Sequence, residues 1–320
     1  MTHDPWHRLR GHTVAGLLRS LLFVPGDSER KQTKALGTAA DALILDLEDS
    51  VDVAQLPAAR ARVRELLQSK PERARQQLWV RVNALSSGLL LEDLAAVVAS
   101  AGEGVPNGIV LPKVSAPREI EEVAHYLAAL EVRGGRQVGS TGLIVIATET
   151  PRALLSLPSY PDKLTPSVTQ RLAALTWGSE DLGASLGVTA RVDSSGTPTL
   201  PFQMARTSCL LAAVALDVQA VDGVHVDFRN KEALARELES ARRDGFSGKL
   251  AIHPDQVDAI NAAFVPTESE ISRAQRVVAA FAAAPGAGVV NLDGQMVDRP
   301  HLIQARRILA SVETPPREPV

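Results

Sequence analysis

The chain of 320 residues contains a single cysteine, Cys209, so no disulfide can form within it. Secreted domains usually carry several paired cysteines, and a chain with one cysteine is more typical of a reducing compartment. Cys209 lies in the apolar run CLLAAVAL, which predicts a small buried side chain. The first twenty residues contain no apolar segment of the kind found in signal peptides. These features predict a cytoplasmic protein.

A large excess of one charge and a long hydrophobic run are missing as well. The chain has 34 basic and 37 acidic residues, which gives a net charge of −3. General nucleic-acid binders carry a basic excess or a basic stripe, so we expect no nucleic-acid partner. The longest apolar stretch, residues 209–221, contains Asp217 and is shorter than the roughly 20 residues that cross a bilayer. We therefore expect no membrane partner either.

The sequence has instead a regular alternation of short apolar runs and helical segments. The runs are apolar on both faces, as is typical of parallel strands that are covered by helices. Strands are predicted at residues 20–26, 42–49, 78–83, 108–114, 142–150, 172–182, 221–228 and 249–254. Amphipathic or apolar helices are predicted at residues 56–68, 117–130, 201–216 and 230–243.

Eight strands, each followed by a helix, predict a (β/α)8 TIM barrel. An open doubly wound sheet is the main alternative, because periodicity does not show whether a sheet closes. Two further helical stretches follow the eighth strand and are separated by APGAGVVNLDGQMVDRP. We predict an N-terminal tail at residues 1–18, the barrel domain at 19–265 and a helical C-terminal extension at 266–320.

Polar side chains, mostly carboxylates, follow the predicted strands. The C-terminal strand ends of a TIM barrel meet at one face, where active sites lie. The polar residues at these positions are Glu48, Asp49, Arg81, Asn83, Lys113, Glu149, Glu180, Asp181, Asp227 and His253. So many polar groups at one face would be costly unless they bind a ligand. Acids gathered around few bases indicate a hard cation with oxygen ligands, and Mg²⁺ fits best. No His or Cys spacing indicates zinc.

Each of these residues also has a purely structural interpretation. A single acid after a strand is often a helix cap. His253, before Pro254, could cap the turn after the last strand, and Lys113 could be an ion-pair partner of the acids. The glycine-rich segment GSEDLGASLG is not a phosphate loop, because no Gly-Lys-Ser/Thr follows it. The functional interpretation depends on the coincidence of all these residues at one face.

Eight motifs occur along the chain in the order RSLLFVPGDSERK, ALILDLEDSV, VRVN, LPKV, ETPRAL, WGSEDLGASLG, VDGVHVDF and GKLAIHPDQVDAIN. Together they resemble the citrate lyase β-subunit-like family of the HpcH/HpaI aldolase superfamily, which includes malyl-CoA and citramalyl-CoA lyases. The resemblance runs from residue 19 to about residue 310. It implies a Mg²⁺-dependent TIM barrel, with Mn²⁺ as an alternative ion, that assembles into trimers or hexamers.

The resemblance also implies roles for individual residues. Glu149 and Asp181 match the direct metal ligands, and Glu48 and Asp49 match acids that hold metal-bound waters. Arg81 matches the group that binds the substrate carboxylate or the keto-acid oxygen, a task that suits a guanidinium fork.

Further positions match contacts with the substrate. Phe23, Arg30 and Lys34 match CoA-contacting positions, and a strand-to-helix turn independently offers free N–H groups to phosphates. Asp222 matches a substrate-contact position. Asp298, in GQMVDRPHLIQAR, matches an acid that reaches the active site of a neighbouring subunit. The alternative for Asp298 is a helix N-cap before Pro300.

The implied reaction is cleavage of a 3-hydroxyacyl-CoA, such as malyl-CoA or citramalyl-CoA, into acetyl-CoA and a 2-oxo acid, or its reverse. A malyl-CoA-type thioesterase, the lyase subunit of a citrate lyase complex and a non-catalytic acyl-CoA-binding subunit are the alternatives. The chain departs from the family pattern at Thr148, where an aliphatic residue is expected before Glu149. The loop VTARVDSSGTPTLPFQ varies in the family and is expected to shape the acyl pocket.

Overall fold

The computed structural model describes residues 17–70, 76–99, 104–194 and 196–312. Within these residues eight parallel strands form a closed barrel, in which β8 pairs with β1. The strands are β1 (Ser20–Pro25), β2 (Ala42–Asp46), β3 (Gln77–Arg81), β4 (Gly108–Leu111), β5 (Gly142–Ile146), β6 (Leu172–Thr176), β7 (Gln219–Asp222) and β8 (Gly248–Ala251). The closed barrel confirms the predicted TIM-barrel fold and excludes the open sheet.

Helices cover the outside of the barrel. They are α1 (Glu29–Leu36), α2 (Leu56–Ser69), α3 (Leu90–Val97), α4 (Pro117–Arg133), α5 (Pro151–Ser156), α6 (Tyr160–Lys163), α7 (Pro166–Thr169), α8 (Ser179–Leu186), α9 (Leu200–Ala215), α10 (Lys231–Asp244) and α11 (Val257–Ala263). Cys209 of α9 is fully buried, as predicted. In the described part of the chain, every helix is too short or too polar to cross a membrane.

Strand residues alternate between the barrel interior and the helix layer. Leu21, Ile44 and Trp79 belong to the interior cluster, whereas Leu22 and Leu45 pack against the helices. Both sets are almost completely buried. Burial of each large apolar side chain contributes about 1.5–3 kcal/mol, so both sides of the sheet stabilise the barrel. Leu18 lies within the predicted N-terminal tail, but it is buried in the interior cluster; residues 1–16 of that tail lie outside the described residues.

Several strands end earlier than the sequence predicted. β2 ends at Asp46, and the predicted strand 172–182 is a strand only to Thr176, after which α8 begins. β7 ends at Asp222 instead of residue 228. Acidic residues in the first turn of α8 favour a helix N-terminus, which explains the change from strand to helix there. The acids of the C-terminal face therefore lie on loops and on a first helical turn, just beyond the strands.

The C-terminal extension contains a β-hairpin that the sequence analysis did not predict. It consists of α12 (Glu268–Ala283), β9 (Val289–Leu292), β10 (Gln295–Asp298) and α13 (Arg299–Val312). Asp293 and Gly294 join the two strands with φ values of 54° and 80°. An Asp-Gly pair between short apolar runs is a strong hairpin signal, so NLDGQM could have revealed it.

A buried ion pair holds the N-terminal ends of β5 and β6 to α4. Arg171 donates from Nη1 and Nη2 to Glu131, both at 2.7 Å, and both side chains are almost fully buried. The backbone N–H groups of Gly139 and Thr141 also donate to Glu131. Burial opposes ionisation of Glu131, but these hydrogen bonds outweigh it and hold the pKa of the carboxyl below its ordinary value.

Substitution of Arg171 by Met should lower the free energy of unfolding by about 3–5 kcal/mol, because Glu131 would then be buried without a partner charge. Arg62→Met is the matched control, since Arg62 pairs with Glu29 at the surface, and it should cost less than about 1 kcal/mol. Urea denaturation measures both values. Equal losses of unfolding free energy in the two variants would contradict the stabilising role assigned to the buried pair of Arg171 and Glu131.

Candidate active site

Arg81, the last residue of β3, holds three acids at the C-terminal face of the barrel. Its Nε and Nη2 donate to the two oxygens of Asp46, each at 2.7 Å. The strand register places Asp46 directly opposite Arg81, so this fork follows from the sheet itself. Arg81 Nη1 lies 2.9 Å from Glu48 Oε2 and 3.4 Å from Asp49 Oδ2. Glu48 Oε2 is near enough for an ion pair but is not aligned for a hydrogen bond.

Lys113, which follows β4, contacts all four acids that the sequence analysis assigned to the metal site. Its Nζ donates to Glu48 Oε1 at 2.6 Å and to Asp49 Oδ1 at 2.9 Å. The same Nζ lies 3.4 Å from Asp181 Oδ1. Its backbone N–H donates to Glu149 Oε2. Lys113 has a φ of 53°, a left-handed conformation that costs a non-glycine residue roughly 1–2 kcal/mol.

Glu149 and Asp181 come together because the end of β5 packs against the start of α8. Glu149 is 2% exposed and follows β5. A Cβ atom on Gly178, the residue before α8, would lie 2.7 Å from Glu149 Cγ, so only glycine permits this approach. Asp181 lies in the first turn of α8. The predicted pair therefore shares one corner of the barrel face.

Seven side chains form what we call the rim cluster: Asp46, Glu48, Asp49, Arg81, Lys113, Glu149 and Asp181. It contains five carboxyl groups and two basic groups, so negative charge is in excess. Asp46 is not among the residues predicted from the sequence, because its position opposite Arg81 depends on strand register. The ion pairs of Lys113 with Glu48 and Asp49 confirm the ion-pair interpretation of Lys113.

The excess charge changes the acidity of the buried carboxyl groups. Burial raises the pKa of Glu149 to about 8, and the charges of Asp181 and Glu48 add to the shift. Burial also raises the pKa of Glu48 to about 7, although Arg81 and Lys113 counteract it. Carboxyl groups that hold protons near neutral pH are typical of functional sites.

The donor atoms of the rim cluster suit a hard divalent cation. A Mg²⁺ ion needs only one or two protein carboxylates and completes its shell with waters and ligand oxygens. Glu149 and Asp181 supply that number, and a divalent ion would offset the excess negative charge. A cage of three or more His, Cys, Asp or Glu side chains that could hold an ion is not found in residues 17–70, 76–99, 104–194 and 196–312.

The residues predicted to contact CoA lie on β1 and on α1, the helix that follows it. The Phe23 ring packs against the Arg81 guanidinium, 4.8 Å from its centroid, and so adjoins the rim cluster. Arg30 and Lys34 are exposed on α1. Their positions leave both charges accessible to an anionic ligand.

Asp222 is not brought into the rim cluster. Its carboxylate accepts hydrogen bonds from Trp177 Nε1 at 2.7 Å, Arg206 Nε at 2.9 Å and Lys249 Nζ at 3.1 Å. Arg206 belongs to α9, and the neighbouring Val221 points into the barrel interior, so Asp222 faces the helix layer. Burial opposes its ionisation, but Lys249 and Arg206 hold its pKa below the ordinary value. This placement favours a structural role over the substrate contact that the resemblance implied.

Asp298 is the last residue of β10 in the C-terminal extension. Its side chain is half-exposed and pairs with His301 of α13. Among the described residues, no member of the rim cluster lies within ion-pair distance of Asp298. The role predicted for Asp298 at an active site therefore stays a prediction.

Two other candidates have structural partners. His253 Nδ1 accepts the N–H of Asp255 and caps the turn after β8, which is the alternative considered for it. Glu180, beside Asp181, pairs with Arg191 of the loop between α8 and α9.

Comparison with known proteins identifies the relatives of this chain. The HpcH/HpaI aldolase/citrate lyase family model matches residues 19–254. A mitochondrial citramalyl-CoA lyase of Rattus norvegicus is 33% identical and the match covers 91% of this chain and 85% of the relative. A (3S)-malyl-CoA thioesterase of Cereibacter sphaeroides is 35% identical, with 92% and 94% covered. The citrate lyase subunit beta of Escherichia coli is 36% identical, with 92% and 93% covered.

A solved structure has the same fold. The protein CitE from Mycobacterium tuberculosis, in complex with magnesium, acetoacetate and coenzyme A, superposes with a TM-score of 0.73 at 30% identity. The match covers 93% of this chain and 99% of that protein.

Substitution of Glu149 by Gln should stabilise the metal-free protein at pH 8 by roughly 1–3 kcal/mol. The folded-state pKa of Glu149, about 8, exceeds its ordinary value of 4.5, so the folded chain binds the extra proton. The stability from this carboxyl is complete below pH 4.5 and falls as the pH rises to about 8. A neutral Gln side chain is free of this loss.

Urea denaturation in EDTA at pH 5 and pH 8 measures the difference in unfolding free energy between Glu149→Gln and the wild type. This difference should be small at pH 5. Glu180→Gln is the control, because Glu180 is half-exposed, and it should change stability by less than about 1 kcal/mol at either pH. A Glu149→Gln protein that is no more stable than the wild type at pH 8 would contradict the raised pKa.

Proposed function

Because the chain belongs to the HpcH/HpaI aldolase/citrate lyase family, we propose that it is a Mg²⁺-dependent carbon–carbon lyase. Its substrate would be a 3-hydroxyacyl-CoA such as malyl-CoA or citramalyl-CoA, and its products acetyl-CoA and a 2-oxo acid. The observation that carries this proposal is the excess of carboxyl groups in the rim cluster around Glu149 and Asp181. The citramalyl-CoA lyase relative and the magnesium and coenzyme A of the CitE complex support it.

Glu149 and Asp181 would hold the ion, and Glu48 and Asp49 would accept hydrogen bonds from its waters. A bound Mg²⁺ supplies a Lewis acid that polarises the oxygens of the 2-oxo acid portion. Lys113 already contacts all four acids, so its ammonium group and backbone N–H keep them aimed at a common point.

Arg81 would bind the 2-oxo acid portion and stabilise the negative charge that develops on it. The two-point contact with Asp46 and the Phe23 ring fix the orientation of its guanidinium before the substrate arrives. A fixed charge in a site that excludes water stabilises a transition state without reorganisation. Arg30 and Lys34 would bind the CoA phosphates.

Cleavage involves two proton transfers, one from the substrate hydroxyl and one to the α-carbon of the thioester. The substrate hydroxyl would pass its proton to a water molecule as the carbon–carbon bond breaks, and the electron pair of that bond would pass to the thioester as an enolate. The α-carbon of this enolate then takes a proton, which Asp298 of a neighbouring subunit would supply. In the condensation direction Asp298 would remove the same proton.

A malyl-CoA-type thioesterase is the second candidate, favoured by the 35% identity to the (3S)-malyl-CoA thioesterase. The same rim cluster would then direct water onto the thioester carbon. Incubation with malyl-CoA or citramalyl-CoA and Mg²⁺ distinguishes the two. Glyoxylate or pyruvate with acetyl-CoA indicates the lyase, whereas free CoA with intact hydroxy acid indicates the thioesterase.

Glu149→Gln and Asp181→Asn should each lower kcat/KM by at least about 100-fold and weaken Mg²⁺ binding, because each removes a charged ligand oxygen. Product formation and isothermal titration with Mg²⁺ measure the two effects. Glu180→Gln, next to Asp181 in the sequence but paired with Arg191, is the control and should retain most activity. Near-normal turnover and Mg²⁺ affinity in both variants would contradict the assignment of Glu149 and Asp181 as metal ligands.

We further propose that the chain forms a homo-oligomer, a trimer or a hexamer. One face of α9 exposes four apolar side chains, Leu200, Met204, Leu211 and Val214, each more than half exposed. Apolar side chains that lie together on an exposed face are typical of an interaction surface. In the same assembly the C-terminal extension would carry Asp298 to the rim cluster of a neighbour.

Complementation tests the role of Asp298. Asp298→Asn and Glu149→Gln chains should each be nearly inactive alone. Co-assembled in equal amounts, they should recover about a quarter of wild-type activity, because about one site in four combines an intact Glu149 with a neighbour's intact Asp298. Tagged co-purification verifies the mixed oligomers. Mixed oligomers as inactive as their parents would contradict a role in trans.

A further inference from the structure

A side-chain hydroxyl connects the segments that carry Glu149 and Asp181. The backbone pairing of β5 with β6 ends where the N–H of Ala147 donates to the carbonyl of Thr176 at 2.8 Å. One step further, the N–H of Gly178 donates to Thr148 Oγ1 at 3.3 Å. A regular parallel ladder would use a backbone carbonyl at this point. The hydroxyl of Thr148 therefore extends the connection beyond the last strand residues.

This contact joins the segments that lead into the two predicted metal ligands. Thr148 precedes Glu149, and Gly178 precedes α8, which carries Asp181 in its first turn. Thr148 is fully buried. The backbone of Gly178 is pressed against Glu149, since a Cβ there would lie 2.7 Å from Glu149 Cγ. Gly178 is partly buried, and an N–H withdrawn from water without an acceptor is costly, so the hydroxyl both satisfies Gly178 and holds the start of α8 in place.

We propose that Thr148 is a positioning residue whose hydroxyl sets the spacing between Glu149 and Asp181 and thereby the affinity for the divalent ion. This inference rests on the proposed metal site. An aliphatic side chain of the same size would fill the space but could not accept the N–H of Gly178. Groups that orient metal ligands from behind typically change metal affinity 10–100-fold when they are removed.

Two substitutions separate the hydroxyl from the shape of the side chain. Thr148→Val keeps the size and loses the hydroxyl, whereas Thr148→Ser keeps the hydroxyl. Thr141→Val is the matched control, because Thr141 is also buried and its hydroxyl accepts Arg136 Nη1 at 3.1 Å, at the opposite end of the same strand. All three proteins are first tested for cooperative unfolding.

The affinity for Mn²⁺, measured from the electron paramagnetic resonance signal of the free ion, is the main measurement. Thr148→Val should bind Mn²⁺ about 10-fold more weakly than the wild type. Thr148→Ser and Thr141→Val should remain within about 2-fold, because both keep a hydroxyl at position 148 that accepts the N–H of Gly178. Hydrogen exchange in the metal-free protein should be faster at the Gly178 amide in Thr148→Val alone.

Each other result overturns the inference. Unchanged Mn²⁺ affinity in Thr148→Val would show that the hydroxyl does not set the site. Equal weakening in Thr148→Val and Thr141→Val would show a general effect of lost stability. Both of these results leave the proposed function standing. If the wild-type chain fails to bind Mn²⁺ and Mg²⁺, the proposed metal site fails and this inference fails with it.

Discussion

An excess of negative charge at the mouth of the barrel is the constraint on which the candidate site depends. Five carboxyl groups meet two basic groups in the rim cluster, and most of them are removed from water. Three features of the fold reduce the repulsion. The strand register sets Arg81 opposite Asp46, and the left-handed backbone of Lys113 lets its N–H and ammonium group contact Glu149 and Glu48. Burial raises the pKa of Glu149 to about 8, so this carboxyl group is mostly protonated at neutral pH. A divalent cation would relieve the remaining repulsion and release the proton.

Two buried carboxylates outside the rim cluster have their negative charge fully compensated by hydrogen-bond donors. Glu131 accepts hydrogen bonds from Arg171 and from two backbone N–H groups, and Asp222 accepts three from side chains. These donors hold the pKa of both carboxyl groups below the ordinary value, so both are ionised. Such compensated networks hold helices to the barrel. Incomplete compensation, and not the presence of buried acids, distinguishes the rim cluster from the structural ion pairs.

Much of this arrangement could be predicted from the sequence. The alternation of apolar runs and helices indicates the barrel, and the acids after those runs must meet at one face because all parallel strands point the same way. The bonds from Lys113 to Glu48 and Glu149 bear out that convergence. Details that depend on distant pairing could not be predicted. Asp46 is opposite Arg81 only through the register, and Asp222 faces the helices because neighbouring strand residues point to opposite sides, so a shift of one residue reverses the assignment.

The central claim is that Glu149 and Asp181 share one divalent ion. A crystal grown with Mn²⁺ and examined by anomalous scattering tests it most directly. We expect one peak at the barrel mouth, within about 2.3 Å of an oxygen of each carboxylate. A peak bound to only one of them, or Mn²⁺ found only elsewhere on the protein, would contradict the claim.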